Sequence, residues 1–317
     1  MNLGRFLLCD GVPCYLRMRG IRHLEPDRVW SITTRTVNAE YLLRPDPETT
    51  ELIGFHLAKA LDRFPGTVLY LLVSMSNHLH KATRDPESTL SAFMCYFLSN
   101  LARDINKVRR RSGPVFAQRF SSTPVLDDES LAERLVYGIL NPVKAGLVDR
   151  HEDWPGVLVW SGSDGPRTFR RFRQRAFDKA LRVSRRMGTP EPTREQFMES
   201  YELRLSPLPD GMSVDDILVR VRAEEARFRE ERLENEEQVL GAEAVVEQDV
   251  RSRPENPKQS IKPLCHTISE VLREEFRKSW RALMGEYLEA SAAWRAGKWR
   301  TSFPEYTFRP WVHFAVG

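Results

Sequence analysis

The chain has 317 residues, 41% of them apolar, and a formal net charge of only +4. That is enough for one large domain or two ordinary ones with real cores, which excludes a disordered tail. The near balance of charge excludes a surface that is basic throughout, so a case for a nucleic-acid partner has to rest on local clusters.

Four cysteines, Cys9, Cys14, Cys95 and Cys265, are scattered without a close C-x-x-C pair. This fits neither a disulfide scaffold nor a zinc ribbon, and the expectation is reduced thiols in a cytosol. The opening MNLGRFLLCDGVPCYLRMRG has too short an apolar patch for a signal segment. No stretch approaches the roughly 18 to 20 apolar residues of a membrane helix. A cytoplasmic protein without a membrane partner is expected.

In chain order, Val29 to Thr36 is β-branched and aromatic and reads as a first strand, followed by a turn at Pro45 and Pro47. Helical spacing of Leu52, Phe55, Leu57, Ala58 and Leu61 predicts a helix over Glu51 to Phe64, stopped by Pro65-Gly66. Thr67 to Val73 is a buried second strand. Leu79 to Thr83 returns as a third after the turn-like Ser74 to Asn77. Leu90, Phe93, Met94, Phe97, Leu98, Leu101 and Ile105 mark an amphipathic helix over Thr89 to Arg109. A fourth strand is expected within Phe116 to Val125, and a helix over Asp128 to Leu140, closed by Asn141-Pro142. The order β-α-β-β-α-β-α predicts an α+β fold, a ferredoxin-like antiparallel sheet with helices on one face.

The turn-rich Trp160 to Pro166 suggests a boundary, giving domains 1–160 and 161–317, the second a largely helical extension. It opens with Arg167 to Arg186, nine Arg or Lys against Asp178, with Phe169, Phe172 and Phe177 interleaved. Those rings either stack on unpaired bases or form the buried face of a helix. Tyr201 to Leu208 reads as a short strand, Val214 to Val239 as a long charged helix, Arg251 to Lys262 as a linker, and Ser269 to Ala296 as a last helix before an aromatic tail.

Two local patterns carry chemistry. In His78-Leu79-His80, residues two apart on a strand share a face with side chains about 6 to 7 Å apart, so both imidazoles can meet one cation. Two ordinary histidines at a strand end would look the same. On the helix Asp128 to Leu140, Glu133, Tyr137 and Asn141 lie at i, i+4 and i+8, which makes Tyr137 and Asn141 neighbours at about 5 to 6 Å. A half-buried tyrosine and a capping asparagine would also fit. From Arg103 to Arg119, Arg103, Lys107, Arg109, Arg110, Arg111 and Arg119 stand against Asp104. They could meet several phosphates, or form a solvated helix end.

SMSNHLH, GPVFAQRFSSTPVLDDESL, LVYGILNPVKAGLV and then DWPG resemble, in order and spacing, the REP-associated tyrosine transposases of the single-tyrosine HUH superfamily. The resemblance spans roughly Val29 to Val157. AWRAGKWRTSFPEYTFRP looks more distantly like the extension of longer bacterial members. The resemblance implies His78 and His80 as metal ligands, Asn141 as a third, and Tyr137 as the nucleophile. Lys107, Arg109, Arg110, Arg111 and Arg119 are the candidate DNA contacts. The implied reaction cleaves single-stranded or hairpin DNA through a 5′-phosphotyrosine. Ligand type alone allows zinc, manganese or iron, whereas the resemblance implies Mg²⁺ or Mn²⁺. A monomer or a homodimer fits. The alternatives are a domesticated module that binds hairpins without cutting, and a metal hydrolase in which Tyr137 is a bystander. Two positions depart from the family pattern. Ser76 stands where many relatives have proline. Lys81 stands where an apolar residue is usual, which makes different burial of that strand an expectation.

Overall fold

The computed structural model describes residues 8–9, 12–13, 21–163, 165–254 and 262–310. Its contacts divide into two compact units, one of residues 27–268 and the other of residues 1–26 with 269–317. The expected linker at 251–262 lies largely outside the described residues, as do Cys14 and the end of the aromatic tail. Cys95 and Cys265 carry free thiols. Among the described residues no helix is long and apolar enough to cross a membrane.

The larger unit is built on five antiparallel strands: β1 (Val29–Arg35), β2 (Val68–Met75), β3 (His78–Arg84), β4 (Ser121–Val125) and β5 (Leu158–Trp160). They lie in the order β4-β1-β3-β2-β5. Helix α1 (Pro47–Arg63) starts under the Asp46 cap, whose carboxylate accepts from Thr49 N at 3.0 Å, with Pro47 preset for the first turn. Next come α2 (Leu90–Val108), α3 (Asp128–Ile139), capped by Asp127 onto Ser130 N, and the short α4 (Asn141–Lys144). Asn141-Pro142 follows the end of α3 at Ile139 and its Leu140 cap. Proline is tolerated in a first turn, so the chain restarts as α4.

The antiparallel sheet and its flanking helices are as the sequence implies, but helices cover both faces. Consecutive strand residues point to opposite sides. Lys81 Nζ lies 3.0 Å from Met94 Sδ and 4.0 Å from the Phe93 ring centre, so α2 covers that side. His80 faces Tyr137 of α3 on the other. Strand β2, VLYLLVSM, is buried from its second residue to its last, as a strand covered on both faces must be. Lys81 is itself buried, its amine set against a thioether and an aromatic ring, and burial pushes it well below the usual lysine range.

The Trp160 to Pro166 segment joins β5 to a ribbon, β6 (Arg167–Phe172) with β7 (Met198–Leu203), inside this same unit. The strand expected at Tyr201 to Leu208 therefore begins three residues earlier and ends five earlier. Between them runs α5 (Gln174–Met187). Phe169 docks its ring over Gly54 of α1, filling the space a Cβ there would need. Helix α6 (Val214–Glu234) brings Ile217 and Val221 into the core of Leu71, Leu131, Leu135 and Ile139, and α7 (Ala242–Glu247) adds Val245.

In the smaller unit, α8 (Glu270–Arg295) follows its Ser269 cap. After Gly297 the chain folds back along it. Trp294 meets Trp299 and Phe303 at 5.0 and 6.0 Å, and the Tyr287 hydroxyl donates to Phe308 O at 2.9 Å.

Candidate active site

Strand β3 begins directly after the two-residue turn Ser76-Asn77. Its register sets His78 opposite Arg35 and Met75, and His80 opposite Thr33 and Val73. Opposite residues share a face, so Thr33, Arg35 and both histidines project to one side at the end of the sheet. The imidazole centroids are 4.7 Å apart and the rings are perpendicular.

The tautomer of His78 follows from its neighbours. Asn77 Nδ2 donates to Ala39 O at 3.2 Å, so the amide oxygen is the end that faces His78 Nδ1, at 2.6 Å. An amide oxygen only accepts. Nδ1 therefore carries the proton and Nε2 presents a lone pair. His80 Nδ1 lies 3.1 Å from Thr33 Oγ1, a hydroxyl that can either donate or accept, so this contact sets the orientation of the ring and not its tautomer. Burial, then the charges of His80 and Arg35, hold His78 well below the ordinary histidine value. Burial with Arg35 and Arg134 brings His80 down to about 4. Both rings are neutral at pH 7, the form that ligates metals.

Tyr137 stands on the outer part of α3, 38% exposed, with its ring centroid 5.9 Å from that of His80 and perpendicular to it. Arg134, one turn earlier, and Lys144 of α4 sit over the phenol ring at 5.1 and 5.2 Å. Asn141 opens α4 one turn beyond Tyr137, half-buried, its carbonyl accepting from Ala145 N at 3.1 Å. Two histidines and a tyrosine that follows them by 57 or more residues in sequence thus share one end of the sheet. Among the described residues no three His, Cys, Asp or Glu side chains gather.

The basic run after α2 divides. Arg110 and Arg119 are exposed. Lys107 bonds Asp104 at 2.5 Å, and Arg111 holds Asn106 and Pro114 O at 3.0 Å each. Arg109 turns inward, 6% exposed. Its guanidinium binds Asp46 and Thr49 at 2.7 Å and the carbonyls of Leu42 and Arg44 at 3.2 Å. The positive charge closest to the histidines and Tyr137 comes instead from Arg35, Arg134 and Lys144. Sequence reading passed over all three, although Arg134 and Lys144 lie at helical intervals from Tyr137.

No protein-family model matches the sequence, and no curated protein matches it. Among solved structures, the chain is similar to a REP-associated tyrosine transposase bound to a REP hairpin, at 18% identity and TM-score 0.37. The match covers 43% of this chain and 78% of that one. A Deinococcus radiodurans protein provisionally assigned as a transposase aligns at 13% identity and TM-score 0.27, over 37% of this chain and 88% of its own. At this level the likeness is one of fold, over less than half of the chain.

Proposed function

We propose that the protein is a metal-dependent single-stranded DNA endonuclease and strand transferase that acts through a 5′-phosphotyrosine on Tyr137. The observation that carries this reading is the approach of the Tyr137 ring to 5.9 Å from His80, itself 4.7 Å from His78. The donor set suits a catalytic ion. Two neutral imidazoles, that of His78 with its tautomer set by Asn77, would supply nitrogen ligands, the amide of Asn141 would supply an oxygen, and positions would remain for water and phosphate. A bound Mg²⁺ or Mn²⁺ would polarise the phosphoryl oxygen and stabilise the charge gathering there.

In this reading the chain's own groups do the rest. The Tyr137 hydroxyl attacks phosphorus and forms a P–O bond as its proton leaves to solvent on the open side. The bond to the 3′ oxygen breaks, and that oxygen takes a proton to become a 3′ hydroxyl. Attack by a different 3′ hydroxyl reverses the step and rejoins strands without external energy. Arg134 and Lys144 flank the phenol where the incoming phosphate needs counter-charge.

The test is a 3′-labelled hairpin oligonucleotide incubated with protein and Mn²⁺ or Mg²⁺. A covalent protein–DNA band is expected, absent in Tyr137→Phe and strongly reduced in His78→Ala and His80→Ala. A full adduct from Tyr137→Phe rules out Tyr137 as nucleophile. Cleavage without a linkage would support a hydrolase, and tight binding without cleavage in any divalent ion would support a binding module.

A further inference from the structure

Of the nine cations between Arg167 and Arg186, three are engaged by acids: Arg171 with Asp104 at 2.6 Å, Arg173 with Glu199 at 3.4 Å and Arg185 with Glu191 at 2.8 Å. Four others lie on α5 and follow a rule. Arg175, Lys179, Arg182 and Arg186 are spaced by four, three and four residues, so they share an arc of about 60° on the helix. All four are exposed, and none has an ion pair among the described residues. The opposite side of α5 is its packing face. Ser184 is buried there, and Phe177 meets Phe172 and Phe197 at 5.4 and 5.7 Å. The cations therefore point straight away from the body of this unit.

An ordinary solvated helix intersperses acids among such cations, because like charges at i,i+3 and i,i+4 destabilise it. Here the one acid on the helix, Asp178, accepts from Gln174 at 2.7 Å and has no ion pair with the stripe among the described residues, so four cations stand beside a single carboxylate. At 1.5 Å per residue the stripe is about 16 Å long. It would face about five phosphates of one strand of a duplex, at 3.4 Å each. The phenylalanines are unavailable for base stacking. Phe169 is 3% exposed against Gly54, and Phe172 is held by Phe177 and by Arg194 at 4.2 Å. Cations without a stacking platform suit a paired backbone, whereas binders of unpaired strands add aromatic platforms. Val183 and Met187 are exposed at the stripe's margin, but the broad apolar face a membrane-surface helix buries in lipid is here turned into the protein.

We propose that this stripe on α5 is a second DNA contact, one that grips the phosphate backbone of a duplex stem away from the tyrosine. The choice of DNA as the polyanion rests on the strand-transferase reading above. The geometry of the stripe does not.

Binding of the full chain to a hairpin with a twelve-base-pair stem, followed by fluorescence anisotropy in EDTA over a range of salt, tests it. The variant R175Q/K179Q/R182Q/R186Q should flatten the plot of log K against log salt by about 3 to 4, at about 0.9 per phosphate. R173Q/R185Q, which removes two cations held by acids, should shift it by under about 1. An unpaired oligonucleotide should show the smaller difference. If the quadruple variant misfolds by circular dichroism, R175Q/R182Q and K179Q/R186Q should each account for about half the change. An unchanged slope, an equal loss per charge in the control, or a loss confined to binding of phosphatidylglycerol vesicles would overturn the proposal. Failure of adduct formation in the unaltered chain would count against strand transfer alone, since no cleavage occurs in EDTA.

Discussion

Arg109 and Arg110 are adjacent in sequence and opposed in use. Arg109 caps α2 and sends its guanidinium inward to Asp46, the residue that caps α1, so one side chain ties the end of one helix to the start of another. Burial raises Asp46, but the Thr49 N–H and the Arg109 charge outweigh it and hold the carboxyl below its ordinary value. Removing Arg109 leaves the Asp46 carboxylate with only the longer Arg44 contact, at 3.3 Å, and the Thr49 N–H to hold its charge. Arg109→Ala is expected to lower the unfolding free energy by about 3 kcal/mol, read from urea titration. Arg110→Gln should leave it within about 0.5 kcal/mol and weaken hairpin binding instead. Equal stability of the two variants would remove the brace. A run of cations cannot disclose this division, because which arginine turns inward depends on where the loop before α1 passes. His78 and His80 were legible because strand alternation alone sets two such residues side by side. Arg35 was not, because the register that sets it opposite His78 is tertiary.

At the scale of elements, a glycine governs how near α3 comes to the sheet. Leu71 of β2 places its Cδ2 where a Cβ on Gly138 would stand, so the helix carrying Tyr137 lies against the strand without a side chain between. Glycine in a helix interior ordinarily costs about 1 kcal/mol relative to alanine. Gly138→Ala should reverse that expectation, since Leu71 is 2% exposed and overpacking a filled core costs about 1 to 3 kcal/mol. Relief by a small outward shift of α3 would carry Tyr137 away from His80. Adduct formation should fall by about 10- to 100-fold. Hairpin affinity in EDTA should hold. A variant as fast as the native chain would show that the closeness of helix and strand does not position the phenol. The long periodic helices and the first three strands were legible because each buries enough residues to display a period. Strand β5 has three residues and exists by pairing with β2, and β7 takes its limits from its partner β6. Neither carries a period of its own, and the second helical layer behind Lys81 follows from pairings that no local pattern encodes.

Across the larger unit the buried ionisable groups respond to acid in one sense. His56 donates from Nε2 to Asp104 at 2.9 Å, yet burial outweighs that attraction and lowers it, so it is a neutral ring beside an anion. Asp104 is raised by burial, but His56, Lys107 and Arg171 bring it far below the carboxylate range. Burial, Arg134 and Lys262 bring His266 down to about 4. Each of these groups holds its proton less tightly in the fold than in the unfolded chain. As pH drops below about 6.5 the unfolded histidines protonate first and draw the equilibrium toward unfolding, and below about 4 the unfolded carboxylates add to it. The stability these groups contribute is therefore complete at neutral pH and declines continuously as each folded value is approached. Urea midpoints of the chain in EDTA are expected to fall from pH 7 to pH 5 and more steeply below pH 4. His56→Gln should reduce the upper part of the fall while leaving the lower part in place. A midpoint constant between pH 7 and pH 5 would mean that these histidines are protonated inside the fold, against the lowering that burial imposes on both.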